Sequence, residues 1–454
     1  MKKNQEFTVT IEDMGVNGEG IGRAQGYTLF IKDAIPGDVV RGIVTKAEKN
    51  YGYGRVTEIV TSSPNRVEPV CPVARSCGGC QIQEMSYESQ LKYKKLKVKN
   101  NLDRIGKLRD YVIHDTLGCK SPWRYRNKAQ FPIGRNKAGK IIAGFYAGRT
   151  HAIIECHDCK IGIEENRDIL RVIISHMEKY NIEPYNEAAH TGLVRHVIIR
   201  KGFKTGEIMV SLVINGEKVK AQDRLVHELL EKIPAIKDIS LNINRDKTNV
   251  ILGEKIITLY GSGYITDFIG EVKFRISPLS FYQVNPQQTE VLYKKALEYA
   301  GLSGKETVFD LYCGVGTISL FLAQSAKQVY GVEVVPQAID DARINAEING
   351  IRNAEFFVGR AEEIIPDLYQ NKGICADVVV VDPPRKGCDE RLLETIVQMK
   401  PRRMVYVSCD SATLARDLKY LTEKGFRVEE VQPVDMFGHS VHVETVVLMS
   451  RERT

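Results

Sequence analysis

Residues 6–60 alternate apolar and polar positions in short runs, at Phe7–Ile11, Tyr27–Ile31, Val39–Val44 and Gly54–Val60. Gly15, Gly18, Gly20 and Gly22 punctuate the stretch after the first run, and Pro36-Gly37-Asp38 marks a turn. A period of two predicts half-buried strands. Several such strands within about 55 residues predict a small barrel, either of the type that binds oligonucleotides or of any other small β type. Ser62-Ser-Pro-Asn-Arg66 reads as the linker that closes it. The period then changes. Tyr87, Leu91, Val98, Leu102 and Ile105 lie at steps of 4, 7, 4 and 3 and trace one face of a helix, with lysines filling much of the rest.

From Tyr125 to about Leu279 the pattern is strand-rich and irregular, with runs at Gln130–Ile133, Ile141–Tyr146, Val194–Ile199, Ile208–Ile214 and Val272–Ile276. These predict an α+β middle region. Beyond it, apolar strands at Thr307–Leu311, Gln328–Glu333, Ala354–Val358, Asp377–Val381 and Met404–Ser408 alternate with helices at Ile318–Ser325 and Ala338–Asn349. Near-continuous apolar strands separated by helices predict an α/β, Rossmann-like domain with a parallel sheet covered on both faces. The expected division is therefore 1–61, 62–277 with a basic helical segment at 86–108, and 278–454.

Composition supports a globular reading. The chain has 454 residues, 43% hydrophobic and 27% charged, which excludes disorder and collagen-like repeats. No stretch approaches the roughly 20 apolar residues that span a bilayer. Met1-Lys-Lys-Asn-Gln leads straight into an alternating polar segment without a secretory apolar region, so a cytoplasmic protein away from membranes is expected. Residues 91–128 hold 12 Lys/Arg against three Asp, a local charge of +9 in a chain of +7, leaving −2 elsewhere. Such a stripe is a phosphate-binding face or a solvated helix surface.

The ten cysteines divide by spacing. Cys71, Cys77 and Cys80 are tightly grouped, Cys156 and Cys159 follow, and the other five are scattered. In a long chain of this kind a disulfide scaffold is not expected.

Three sequence elements carry candidate chemistry. The loop Asp310-Leu-Tyr-Cys-Gly314-Val-Gly316-Thr follows one strand and opens a helix, and its glycines allow a ligand to approach the backbone. Glu333 ends the next strand, where a carboxylate can accept from ribose hydroxyls. Ser319 stands where a dinucleotide fingerprint has its third glycine, which tilts the site from NAD toward S-adenosylmethionine. Asp382-Pro-Pro-Arg385 follows a valine-rich strand, and its prolines hold Asp382 in a stiff turn. Cys409 ends a further strand, either as a small buried hydrophobe or as a nucleophile able to add to C6 of a pyrimidine and activate C5. Glu444 lies inside an apolar strand, so it is either paired or functional, as the base that removes the C5 proton.

Together these motifs resemble the RNA uracil-C5 methyltransferases, in particular the bacterial 23S ribosomal RNA enzymes with an iron–sulfur cluster, over nearly the whole chain. The resemblance implies that residues 3–61 form a TRAM barrel that binds RNA. It implies a [4Fe–4S] cluster held by Cys71, Cys77, Cys80 and Cys159, although Cys156 is only three residues away and structural zinc fits the spacing nearly as well. Ser280-Phe-Tyr-Gln283-Val-Asn285 is similar to the motif whose glutamine contacts adenosylmethionine. Tyr312, Glu333 and Asp382 become cofactor contacts with Gly314 and Gly316, Cys409 the nucleophile and Glu444 the general base. Two stretches depart from the family: Ser408-Cys409-Asp410-Ser411, often Ser-Cys-Asn-Pro there, and Phe437-Gly438-His439-Ser440, often Phe-Pro-x-Thr. The implied activity is 5-methyluridine formation in 23S ribosomal RNA. Transfer RNA as substrate, 5-methylcytosine formation and a non-catalytic RNA-binding or assembly protein are the alternatives. Trp123, Tyr125 and Phe281 are candidates to stack on unpaired bases, Trp123 equally a core residue, and no obligate protein partner is expected.

Overall fold

The computed structural model describes residues 1–148 and 150–451. The first five strands, β1 (Glu6–Met14), β2 (Gly20–Ala24), β3 (Tyr27–Lys32), β4 (Val39–Ala47) and β5 (Tyr51–Thr61), close into a barrel in the order β1-β2-β3-β5-β4. Phe7, Val9, Ile11, Leu29, Ile31, Val40 and Val44 fill it from alternating positions. The glycine-punctuated stretch contributes a strand of its own rather than only turns. A Cβ at Gly20 would stand 2.6 Å from the Ala34 carbonyl oxygen, and one at Gly22 2.8 Å from that of Thr10. Those glycines are set by close backbone approach inside the barrel wall.

Helix α1 (Tyr87–Arg104) forms where the periodicity predicts one, but its buried face is Gln90, Tyr93, Lys94, Val98 and Leu102 while Ile105 is exposed, and it is followed by the two-residue strand β6 (Val112–Ile113). Neither packs with the strands that follow them in sequence. Val98 and Leu102 of α1 join the core beneath the last sheet, and Asn101 Nδ2 donates to Ser411 Oγ at 2.8 Å.

The middle region is a seven-stranded sheet. Its strands are β7 (Lys128–Arg135), β8 (Ile141–Tyr146), β9 (Ile153–Glu155), β10 (Val194–Lys201), β11 (Ile208–Ile214), β12 (Ile236–Ile243) and β13 (Lys255–Tyr260). They run in the order β13-β12-β11-β10-β7-β8-β9, with helices α2 (Asn166–Lys179) and α3 (Gln222–Lys232) packed against them. A hairpin, β14 (Ile265–Ile269) and β15 (Val272–Ile276), inserts Ile265 and Phe274 into the core of the last domain.

That domain opens with α4 (Pro286–Ala300). Asn285 caps it by accepting from Gln288 N, Pro286 takes the first turn, and Gly301 closes it at φ +58°. Strands β16 (Thr307–Leu311), β17 (Gln328–Glu333), β18 (Ala354–Val358), β19 (Val378–Val381) and β20 (Arg403–Ser408) pair in parallel. Helices α5 (Thr317–Ala323), α6 (Pro336–Ile348), α7 (Ala361–Gln370), α8 (Glu390–Met399) and α9 (Ser411–Glu423) link or follow them. Val378 and Val380 point to one core, Val379 and Val381 to the other, so the sheet is covered on both faces.

The sheet is not wholly parallel. β21 (Phe426–Val434) and β22 (Glu444–Arg451) complete the order β18-β17-β16-β19-β20-β22-β21-β6, with β22 antiparallel to both neighbours. Residues 435–443 are too few for a crossover, so the chain turns back on itself. This reversal brings the start of β22 to the edge where the parallel strands end, with Thr445 opposite Ser408.

Candidate active site

All the parallel strands deliver their carboxyl ends to one cleft of about 980 Å³. Tyr312, Gly314, Glu333, Asp382, Cys409 and Glu444 line it, with Gln283 reaching in from the segment before α4. A topological edge of this kind is where open α/β sheets bind ligands.

Gln283 is placed from the middle region. Asn127 Nδ2 donates to the Gln283 carbonyl at 3.0 Å and Asn127 N to that of Val284 at 2.9 Å. Arg200 Nη2 holds the Ser280 carbonyl at 2.9 Å, and Ser280 Oγ donates to Asp341 Oδ2 at 2.8 Å.

The loop after β16 stores backbone strain. Tyr312 sits at φ +80°, a left-handed conformation costly for a side chain of that size. Gly314, at φ +55°, has no atom within 4 Å of where its Cβ would be, leaving room for a ligand against the backbone. Gly316 differs: it does not line the cleft, and its missing Cβ faces Ala342 and Phe356 at 3.1–3.2 Å, so it turns and packs the loop. Glu333 accepts from Gly314 N at 3.2 Å and Val335 N at 3.1 Å. Ser319 donates to buried Asp310 at 2.5 Å, binding the helix to the strand end.

Three carboxyls and one thiol dominate the electrostatics. Burial pushes Asp310 up to about 7. Burial and the neighbouring Asp310 push Asp382 up to about 7, and burial and Asp382 push Glu444 up to about 8. Glu444 is 4% exposed. Burial, then Glu444 and Asp382, raise the Cys409 thiol to about 11, against which Arg385 acts in the opposite direction. Arg385, His442, Phe437 and Tyr293 also line the cleft and were not assigned from sequence. Arg385 and His442 were visible beside the Asp-Pro-Pro motif and Glu444, but nothing in the spacing showed which way they point.

The two departures from the family pattern have structural roles. Asp410 caps α9, accepting from Ala412 N at 2.9 Å and Thr413 N at 3.1 Å. His439 stacks on Trp123 with ring centroids 3.7 Å apart, so Trp123 is engaged within the protein. Tyr125 is buried, its hydroxyl donating to the Gly438 carbonyl at 3.1 Å. Of the three candidate stacking residues, Phe281 is open to solvent, 70% exposed at the mouth of the cleft.

The basic 91–128 segment is not a single solvated face. Lys94 is buried against Asp435, Lys95 pairs with Asp115, Lys99 with Asp103 and Arg124 with Asp158. Lys92, Arg104, Lys107 and Lys120 remain exposed.

Cys71, Cys77, Cys80, Cys156 and Cys159 act on one another electrostatically, and Gly78, Gly79 and Gln81 beside them line the cleft. Cys71 and Cys156 hydrogen-bond each other, one thiol pulled down and the other pushed up. Burial raises Cys77, Cys80 and Cys159, with neighbouring thiols adding to the effect. The expected ligand geometry is not present: among the described residues, no three His, Cys, Asp or Glu side chains form a group that could hold a metal ion. The thiols instead pair with one another and with backbone N–H groups, as Gly79 N does with Cys77 Sγ at 3.3 Å.

Comparison with known proteins extends this picture. Residues 86–452 match the family described as tRNA (Uracil-5-)-methyltransferase, and residues 2–57 match the TRAM domain. A protein of Bacillus cereus described as an uncharacterized RNA methyltransferase is 51% identical over 451 residues, covering 99% of this chain and 98% of its own length. One from Clostridium acetobutylicum with the same description is 52% identical over 453 residues, covering 99% and 98%. The crystal structure of Pyrococcus abyssi tRNA (uracil-54, C5)-methyltransferase in complex with S-adenosyl-L-homocysteine superposes with a TM-score of 0.77 at 27% identity, covering 98% of this chain and all of that one.

Proposed function

We propose a specific reaction from the premise that the chain belongs to the tRNA (uracil-5-)-methyltransferase family of RNA methyltransferases: transfer of a methyl group from S-adenosylmethionine to C5 of a uridine in 23S ribosomal RNA. What carries this reading is that one cleft collects the strained cofactor loop, a thiol and a buried carboxyl.

S-adenosylmethionine would be held by Gly314 and Glu333, with Gln283, Tyr312 and Asp382 around it. The target uridine reaches the cleft floor as a flipped base or from an exposed loop, since Cys409 cannot reach C6 inside a stack. The Cys409 thiol, raised to about 11 by its surroundings, releases its proton to solvent, and the thiolate adds to C6 as the electrons move to C5 and O4. C5 then attacks the sulfonium methyl, forming the C–C bond as the C–S bond breaks and S-adenosylhomocysteine leaves. The Glu444 carboxylate takes the C5 proton, the C5–C6 double bond re-forms and the Cys409 thiolate is expelled. Every atom balances with no further reactant. Glu444 must be ionised for its step, and burial keeps it protonated at neutral pH, so turnover rises with pH.

The barrel and the exposed lysines hold the RNA backbone, and Phe281 stacks on an unpaired base. The donor set also suits an iron–sulfur cluster. Five thiols lie near one another beside the cleft residues Gly78, Gly79 and Gln81, and Cys71, Cys77, Cys80 and Cys159 would hold a [4Fe–4S] cluster once deprotonated.

A second reading, transfer RNA as substrate, is favoured by the name of the Pyrococcus abyssi enzyme. Labelled S-adenosylmethionine with unmodified 23S ribosomal RNA and, separately, bulk transfer RNA distinguishes them. Label on uracil C5 of the ribosomal RNA supports the proposal, label on transfer RNA alone replaces the substrate, and label on neither overturns the enzyme reading for both.

A further inference from the structure

We propose that Lys94, Gln90 and Gln81 are positioning residues that set where the Glu444 carboxyl stands, acting through the segment 435–442. The inference rests on Glu444 being the base. This segment joins β21 to β22 and ends two residues before Glu444. It has no regular secondary structure, yet it is almost entirely buried. Buried irregular backbone needs hydrogen-bond partners from elsewhere.

Many of those partners come from residues 81–125. Lys94 Nζ donates to Asp435 Oδ1 at 2.5 Å and to the Phe437 carbonyl at 3.0 Å. Tyr87 donates its hydroxyl to Asp435 Oδ2 at 2.6 Å. Gln90 Oε1 accepts from His439 N at 3.0 Å, and Gln81 Oε1 from Val441 N at 3.3 Å. Gln81 N and Ile82 N donate to the His439 carbonyl at 3.1 and 3.2 Å. Lys97 Nζ completes the clasp on the Val441 carbonyl at 2.9 Å.

Two features point to positioning rather than general stability. The Lys94–Asp435 pair has no solvent exposure on either side chain, and a buried ion pair of this kind contributes little that well-packed apolar residues would not. What it adds is direction, because the ammonium fixes a carboxylate and a carbonyl at once. His439 also sits at φ +67°, a left-handed conformation held at a residue with a full side chain. Such strain persists where surrounding contacts over-determine the backbone. The basic helix thus uses its buried face to aim a catalytic loop, and Gln81 attaches the cysteine loop to the same point.

The chemistry supplies a readout that a structural role would not move. A misplaced base leaves Cys409 addition and methyl transfer intact but stalls proton removal, so methylated RNA stays covalently attached to the enzyme. Lys94→Met, Gln90→Met and Gln81→Ala in the full chain are compared with wild type and Glu444→Gln. The measurements are kcat, the fraction of RNA bound covalently on denaturing gels, and affinity for S-adenosylmethionine. Lys94→Met is expected to lower kcat at least about tenfold, to raise the covalent fraction toward that of Glu444→Gln, and to leave cofactor affinity within about twofold. The glutamine variants move the same way by less. Unchanged kcat, or lost turnover without covalent build-up, overturns the inference. Should Lys94→Met not fold, Gln81→Ala decides, since it leaves the buried pair in place. Absence of adduct in Glu444→Gln itself would instead overturn the base assignment.

Discussion

Two thiol-bearing regions border the same cleft and are built in opposite ways. Cys409 ends β20 as a single thiol whose charged neighbours are Glu444, Asp382 and Arg385, and its reactivity is set by those groups. Across the rim, Cys71, Cys77, Cys80, Cys156 and Cys159 have one another as neighbours, and each thiol's state depends on the rest. In the proposed reading, a thiol takes its role in the first case from the strand that delivers it and in the second from the company it keeps. Losing one residue should therefore abolish a reaction in one region and dismantle a structure in the other.

The largest contrast comes from Cys409→Ala, which should lower methyl transfer by at least about 10⁴-fold and abolish covalent RNA attachment, while cofactor affinity and thermal stability stay near wild type. Filter-bound label and a melting curve check both halves.

Glu444→Gln follows, with turnover down about 10²–10⁴-fold and the adduct accumulating. It carries a second signature. A carboxyl raised to about 8 by the fold contributes stability that is complete below the ordinary glutamate range and is lost as pH climbs toward 8. Glutamine loses nothing over that window. The variant should be more stable than wild type at pH 8 by roughly 3–5 kcal/mol, the difference vanishing near pH 4, as read by urea unfolding at both pH values.

On the other rim, protein purified without oxygen should carry about four irons per chain. Cys71→Ser, Cys80→Ser and Cys159→Ser should lose most of that iron and Cys156→Ser should keep it, as measured by metal analysis and visible absorbance. Iron retained in Cys159→Ser but lost in Cys156→Ser would exchange the two in the ligand set.

The smallest effect is graded. The rate at which the methylated adduct resolves in a single turnover should rise roughly tenfold between pH 6.5 and 8 as Glu444 ionises, and Arg385→Gln should move that rise to higher pH, since Arg385 opposes the upward shift.

Much of this arrangement is legible in the sequence. The strands Ile141–Tyr146, Ile208–Ile214, Val272–Ile276 and Thr307–Leu311 are bounded as the apolar runs predict, because buried strands advertise themselves by composition. Cys409 and Asp382 could be placed in one site because parallel strands end on one edge. Glu444 is harder, since its presence there depends on β22 running antiparallel, which hydrophobicity does not reveal. The strand character of Gly20–Ala24 was hidden because its glycines answer to tight backbone packing rather than to turns. Lys94 was hidden most completely: among 12 basic residues nothing marks the one buried against a carboxylate 341 positions away. The family resemblance reaches Cys409 and Glu444, whereas the clasp on 435–442 is visible only in three dimensions.

The central claim is that Cys409 forms a covalent bond to the base it helps methylate. RNA transcribed with 5-fluorouridine offers the most direct measurement, because the fluorine on C5 cannot be taken by Glu444 as a proton and the methylated adduct stays on the enzyme. After incubation with S-adenosylmethionine and digestion, mass spectrometry should find the peptide containing Cys409 carrying a methylated fluoronucleotide. An adduct on another residue, or none with cofactor and RNA both bound, would contradict the account.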